Sequence, residues 1–265
     1  MSVRIEKSGS VWTIIHSRPE ARNAMDAESA DALVAAFEEF DAAASASVAV
    51  LWGEGGAFCA GWDLRSVSSL ERDDPVGELD FPAAGGRAPR GPLGPTRLEL
   101  SKPVIAAVEG PAVAGGMELA MWCDVRVMGE SAYFGVYCRR WGVPLIDGGT
   151  VRLPRLVGEG RALEIILTGR KVPAEEAIRI GLAAKVVADG TARAAAEALA
   201  QQIARFPQAC VRADRHSLYR AHGLSVRAGL KSEWATSSGI VKLEGIAGAE
   251  RFAAGRGRHG DFEDI

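Results

Sequence analysis

The first half of the chain alternates short β-rich runs with helical stretches, and that alternation restricts the fold more than any other feature. "VWTIIHS" (11–17), "SVAVLWG" (47–53), "KPVIAAVEG" (102–110) and "CDVRVMG" (123–129) read as strands, three of them closed by glycine. "DAESADALVAAFEEFDAAA" (26–44) has an acidic start and apolar residues at helical spacing, the pattern of an amphipathic helix. Strand and helix in such short alternation imply an α/β layer with crossover connections. From about residue 159 the character changes to helices bounded by glycine or proline, with one short strand near "AAKVVA" (183–188). The expected organisation is an α/β core over 1–200 followed by a helical region over 201–265.

Between the strands, "ERDDPVGELDFPAAGGRAPRGPLGPTRLE" (71–99) is rich in glycine and proline. It reads as a long irregular loop with a short helix at its end, too rich in proline to serve as a core element.

Several function classes fall away on charge and motif. The net charge is -3, so nothing global favours nucleic acid or an anionic membrane surface. No apolar run approaches a membrane span and "MSVRIEKSGS" lacks the apolar core of a signal peptide, which leads us to expect a cytoplasmic protein. Cys59, Cys123, Cys138 and Cys210 are isolated singles, and His216 and His222 are too far apart to share a helix face, so no metal site is expected. "GRGRHG" (255–260) matches a dinucleotide-binding glycine pattern but has no following helix. No phosphate-binding loop and no GxSxG elbow are present.

The residues that remain centre on "EGPAVAGGMELAMWCDV" (109–125). An unpaired carboxylate is costly among apolar groups, yet Glu118 stands among Ala, Met, Leu and Trp. Glycines 115 and 116 let the backbone turn sharply and leave the first N–H groups of a helix uncovered, a site for negative charge. Glu118 lies about one turn further along the same face. The plainer alternative is a tight turn for packing, with Glu118 reaching solvent. Held in an apolar setting, its carboxyl should bind a proton more tightly than usual, which suits proton exchange near neutral pH. In "GEGGAFCAGWDLRSV" (53–67) the Trp62 amide is a second candidate donor, with Asp63 capping a short helix; a simple strand-to-helix turn explains that stretch equally well.

"RPEARNAMD" (18–26), "GGAFCAGWDLRSV" (55–67), "KPVIAAVEGPAVAGGMELAMWCDVRV" (102–127) and "GGTVRLPRLVGEGRALEIILTGRKVPAEEAIRIGLAAKVV" (148–187) together resemble the crotonase superfamily of enoyl-CoA hydratases and isomerases. The resemblance runs from about residue 11 to "ERFAAGRGRHGDF". It implies a ββα spiral core, a C-terminal trimerisation region giving a homotrimer or a dimer of trimers, and a coenzyme A thioester as substrate with no separate cofactor. It also implies that the backbone amides of Trp62 and Gly115 hold the thioester enolate and that Glu118 is an acid/base. CoA is expected along Arg22 and Ala24, and along Ala60, Trp62, Asp63, Leu64 and Arg65, with Phe252 closing over the nucleotide. The activity implied is hydration of a trans-2-enoyl-CoA, of the kind used in β-oxidation of fatty acids.

One departure stands out. Hydratases of this superfamily typically carry a second glutamate after the "FG" pair, and the matching position here is Cys138. A neutral thiol is a poor substitute for a carboxylic acid in adding water. Asp147, just before Gly148 and Gly149, is the nearby carboxylate that can act as the second acid/base; an ordinary turn residue is the equal alternative. Isomerisation, in which Glu118 alone shuttles a proton, and acyl-CoA binding without catalysis remain open. Arg139 and Arg140 read as a solvated basic edge, and Trp62 and Trp141 either narrow an acyl tunnel or belong to the core.

Overall fold

A computed structural model of the chain describes residues 2–67, 79–260 and 262; residues 71–78 of the glycine- and proline-rich stretch lie outside these. Two sheets organise the molecule. The larger has six strands in the order β1-β2-β3-β4-β6-β9: β1 (Val3–Ser8), β2 (Val11–His16), β3 (Val48–Gly53), β4 (Val104–Val108), β6 (Val125–Gly129) and β9 (Lys185–Val187). Only the β1–β2 hairpin is antiparallel; the remaining pairs are parallel, as crossover connections require. The smaller sheet joins β5 (Pro111–Val113), β7 (Tyr133–Gly135) and β8 (Lys171–Pro173).

Side-chain alternation explains why the large sheet carries a layer on each face. Ala49, Leu51, Val104, Ala106 and Val108 point one way, into a core with Leu33, Phe37 and Phe40 of α1 (Ala27–Ala42). Val48, Val50, Ile105, Ala107 and Val127 point the other way, onto Ala192, Ala196 and Ala200 of α7 (Ala192–Ala204). Those three alanines recur at one-turn spacing and present a flat face that lies close on the strands. Each of Leu33, Phe37 and Phe40 is fully buried, and each such burial stabilises by about 1.5–3 kcal/mol. Asp26 caps α1 by accepting from the Ser29 amide at 2.8 Å, and the Lys102 ammonium caps its other end through the Phe40 and Ala43 carbonyls at 2.8 and 2.6 Å.

The remaining helices are α2 (Leu64–Val67), α3 (Gly115–Trp122), α4 (Gly149–Val157), α5 (Glu159–Thr168), α6 (Ala174–Arg179), α8 (Gln208–Arg220), α9 (Val226–Ile240) and α10 (Ile246–Ala253). The last three form the helical C-terminal region, and neither α9 nor α10 contains a buried residue. No helix among the described residues is long and apolar enough to cross a membrane.

Two expectations need correction. The end of the 71–99 stretch is part of the core despite its prolines. A short 3-10 turn does form at Pro95–Arg97, but Leu93 before it and Thr96 within it are buried, because this segment packs under α3. The glycine pair does not make the turn before α3 either. Ala114 adopts the left-handed backbone there, with φ 54°, and Gly115 and Gly116 lie inside the helix. Their value is close approach: a Cβ on Gly115 would fall on the Leu93 side chain, and one on Gly116 would fall on the Cys59 carbonyl.

Candidate active site

Every residue of α3 is buried, and Glu118, 2% exposed, lies in the interior rather than at the surface. The alternative in which it reaches water is excluded. Its Oε1 accepts two backbone hydrogen bonds, from the Asp147 amide at 2.9 Å and the Gly149 amide at 2.8 Å. Burial and the neighbouring Asp147 charge push its carboxyl up to about 7, against the two amides and the Arg152 guanidinium, which favour the ionised form.

The two candidate oxyanion donors come from different segments. The Gly61 carbonyl accepts from the Met25 amide at 2.8 Å, and the Asp63 amide donates to the Met25 carbonyl at 2.8 Å. In an extended segment the intervening Trp62 N–H points to the opposite side. The Gly115 N–H belongs to the first turn of α3, where helix geometry supplies no acceptor. Among the described residues neither amide donates to a protein acceptor. Gly61 brings the segments together: with φ 94°, a Cβ there would sit 2.9 Å from the Ala114 Cβ and 3.1 Å from the Gly115 nitrogen. Both donors line one cavity of about 270 Å³, together with Glu118, Cys138 and Asp147.

Asp147 is also buried, at 2% exposure. Its Oδ1 accepts from the Leu93 amide at 3.1 Å and from the Thr96 hydroxyl. The Arg152 guanidinium donates to the Asp147 carbonyl at 2.8 Å and to the Thr96 carbonyl at 2.7 Å, closing the ring. Burial raises the proton affinity of Asp147, while Thr96, Leu93 and the Arg97 and Arg152 charges oppose it. Two carboxyls linked through one backbone amide, with the charge of Asp147 raising the proton affinity of Glu118, form a pair whose ionisations are coupled. The Cys138 thiol, on the 3-10 turn Tyr137–Trp141, is held protonated by burial and by the charge of Glu118.

Of the residues expected to touch CoA, Arg22, Ala60, Trp62, Leu64, Gly115 and Cys138 line the cavity. Ala24, Asp63 and Arg65 flank it. Ala24 is buried and its carbonyl accepts from Arg18 at 2.5 Å; Asp63 pairs with Arg18 at 3.1 Å and caps α2 through the Arg65 amide at 3.1 Å. Asn23 pins the 21–25 segment by donating to the Glu54 and Ala57 carbonyls at 2.8 and 2.6 Å. Phe252 is not brought to the cavity: it sits 60% exposed on α10, which packs no residue into the core. Trp141 is not core either; it is 65% exposed and lines the cavity mouth. Thr96, Leu93 and Arg152 were not legible as site residues from the sequence. Leu93, an apolar residue stranded in a glycine- and proline-rich loop, was the available signal.

The chain matches the sequence model of the enoyl-CoA hydratase/isomerase family over residues 6–237. It is 37% identical over 206 residues to an enoyl-CoA hydratase of Mycobacterium tuberculosis, covering 75% of this chain and 73% of the relative. It is equally 37% identical over 244 residues to a carnitinyl-CoA dehydratase of Proteus mirabilis, covering 91% and 88%. Among solved structures, an enoyl-CoA hydratase from Mycobacterium marinum superposes with a TM-score of 0.85 at 32% identity, over 96% of both chains. One from Bacillus anthracis superposes with a TM-score of 0.84 at 29% identity, over 97% of both. The architecture is thus the crotonase fold, and the chain belongs to the enoyl-CoA hydratase/isomerase family.

Proposed function

We propose that the protein adds water across the double bond of a trans-2-enoyl-CoA, with the CoA thioester as its substrate and no further cofactor. The observation that carries this reading is the meeting of two unengaged backbone amides and two buried carboxyls in one cavity. The thioester oxygen would sit on the Trp62 and Gly115 amides, which hold the enolate charge as it develops; donors of this kind are worth about 2.7–4 kcal/mol each. Hydration requires one carboxyl to be ionised and the other protonated. Asp147 is the better candidate for the ionised member, since Thr96 and Leu93 donate to its Oδ1 and two guanidiniums oppose the effect of burial. Glu118, pushed up to about 7, carries the proton. Asp147 takes a proton from water as oxygen bonds to Cβ, and Glu118 delivers one to Cα as the enolate collapses.

Isomerisation needs a single shuttling carboxyl, so the second one favours hydration, or its reversal in the sense of the dehydratase relative. The apolar side chains left exposed on α9 and α10, among them Leu230, Trp234 and Ile246, support a homotrimer in which a second copy covers them.

The test is loss of enoyl absorbance with crotonyl-CoA. Wild type should turn over, and Glu118→Gln and Asp147→Asn should each lose at least about 100-fold. Binding of CoA esters without turnover across chain lengths would favour a non-catalytic binding protein. Full activity in Asp147→Asn would remove Asp147 from the reaction and contradict the two-carboxyl reading.

A further inference from the structure

Tyr133, Tyr137, Arg140 and Trp141 give the cavity an aromatic wall with one cation, and the proposed reaction makes no use of it. Segment pairing fixes its place. Met25 bridges Trp62, Cys59 bridges Ala112, Pro111 pairs with Tyr133, and Tyr133 pairs with Pro173. The segments 22–25, 59–62, 111–113, 133–135 and 171–173 therefore succeed one another across this array, at about 4.8 Å per step. On the hydration reading the thioester oxygen would sit on the amide donors in the middle, with the segments expected to hold CoA on the Arg22 side.

On the far side the Tyr133 and Tyr137 rings stand 6.2 Å apart, both against the cavity. The Arg140 guanidinium lies 4.7 Å over Tyr137 and 6.0 Å from Trp141, and the Lys171 ammonium lies 4.3 Å over Tyr133. Among the described residues neither cation has a carboxylate partner. Their neighbours do have partners: Arg170 is committed to Glu164 and Glu176, and Arg139 to the Ile166 carbonyl. Arg140 lines the cavity two residues beyond Cys138, on the same 3-10 turn, and Cys138 lies within electrostatic reach of Glu118. A guanidinium stacked on aromatic rings and lacking a carboxylate is a preformed anion site on the wall of the cavity that Glu118 and Asp147 also line.

We infer that Arg140, supported by Lys171, selects an enoyl-CoA whose acyl chain ends in a carboxylate. This rests on the hydration reading and adds the substrate class. The stacked guanidinium reads the planar carboxylate, while the tyrosine and tryptophan rings cover the methylenes between it and the double bond. The shared chemistry is an anion, and the other source of one is a CoA phosphate.

The experiment compares trans-2-hexenedioyl-CoA with trans-2-hexenoyl-CoA, which share CoA and chain length and differ in the terminal carboxylate. Wild type should favour the diacid in kcat/KM by roughly tenfold. In Arg140→Gln that ratio should fall to near one, and Arg140→Lys should keep part of it. A parallel fall for both substrates would mean that Arg140 reads a CoA phosphate or holds the turn together, and would overturn the inference, as would a wild-type preference for hexenoyl-CoA. If neither substrate is hydrated, the hydration reading fails, and calorimetric binding of adipyl-CoA against hexanoyl-CoA decides. An adipyl preference lost in Arg140→Gln supports the carboxylate site; equal binding overturns it.

Discussion

Glu118 is costly where it stands, and the cost can be measured. Its carboxyl moves from an ordinary 4.5 to about 7. The folded chain holds that proton more tightly than the unfolded chain does. The contribution to stability is therefore fully present below about pH 4.5 and is lost as pH rises through about 7. Each tenfold change in proton affinity is worth about 1.4 kcal/mol, so ionised Glu118 destabilises by roughly 3 kcal/mol at pH 8. Glu118→Gln should be the more stable protein at pH 8 by that order and lose this part of the pH dependence, as read from urea midpoints at pH 5 and 8. The same substitution should remove the alkaline limb of kcat/KM near pH 7.

Thr96 makes a separate prediction: its hydroxyl favours the ionised form of Asp147. Thr96→Val should move the acid limb of kcat/KM to higher pH, and Thr96→Ser should restore it. Glu118 was legible in the sequence because a carboxylate in an apolar run is a local signal. Thr96 and Arg152 were not, because the bond from Thr96 to Asp147 spans 51 positions and leaves no local trace.

Among the elements, the strands β2, β3, β4 and β6 followed from their short apolar runs and the helix α1 from its helical spacing, and the observed bounds lie within two residues of the expected ones. β1 carries mostly exposed polar residues and α8 buries only Ala213 and Ser217, so neither announced itself by period. The start of α3 shows a subtler limit. Glycine signalled a special backbone, but which residue bends and which needs the space depends on Leu93 and Cys59, which are distant in sequence. Gly115→Ala and Gly116→Ala should each destabilise by about 1–3 kcal/mol, because the new Cβ meets an occupied position. Ala114→Gly should do the reverse: it relieves a left-handed alanine and should stabilise by about 1 kcal/mol, less what the freer unfolded chain takes back. Thermal denaturation of the three variants checks both signs.

For the whole molecule, the large sheet packs β1 and β2 against α1 and β3, β4 and β6 against α7, and the small sheet brings 111–113 beside 133–135. The site forms where these two systems meet, on loops and helix starts supported by buried strands. The C-terminal helices contribute little to the core and leave Leu230, Trp234, Leu243 and Ile246 exposed. Sedimentation should find trimers or larger assemblies, and Trp234→Asp with Leu230→Asp should shift the mass toward monomer while leaving the secondary structure intact.

The most direct test of the oxyanion geometry is a crystal structure with hexanoyl-CoA bound. The account predicts the thioester oxygen within about 2.7–3.1 Å of both the Trp62 and Gly115 nitrogens, with the acyl carbons beside Glu118 and Asp147. An oxygen held elsewhere, or either of those nitrogens already spent on a carbonyl of the chain, would contradict it.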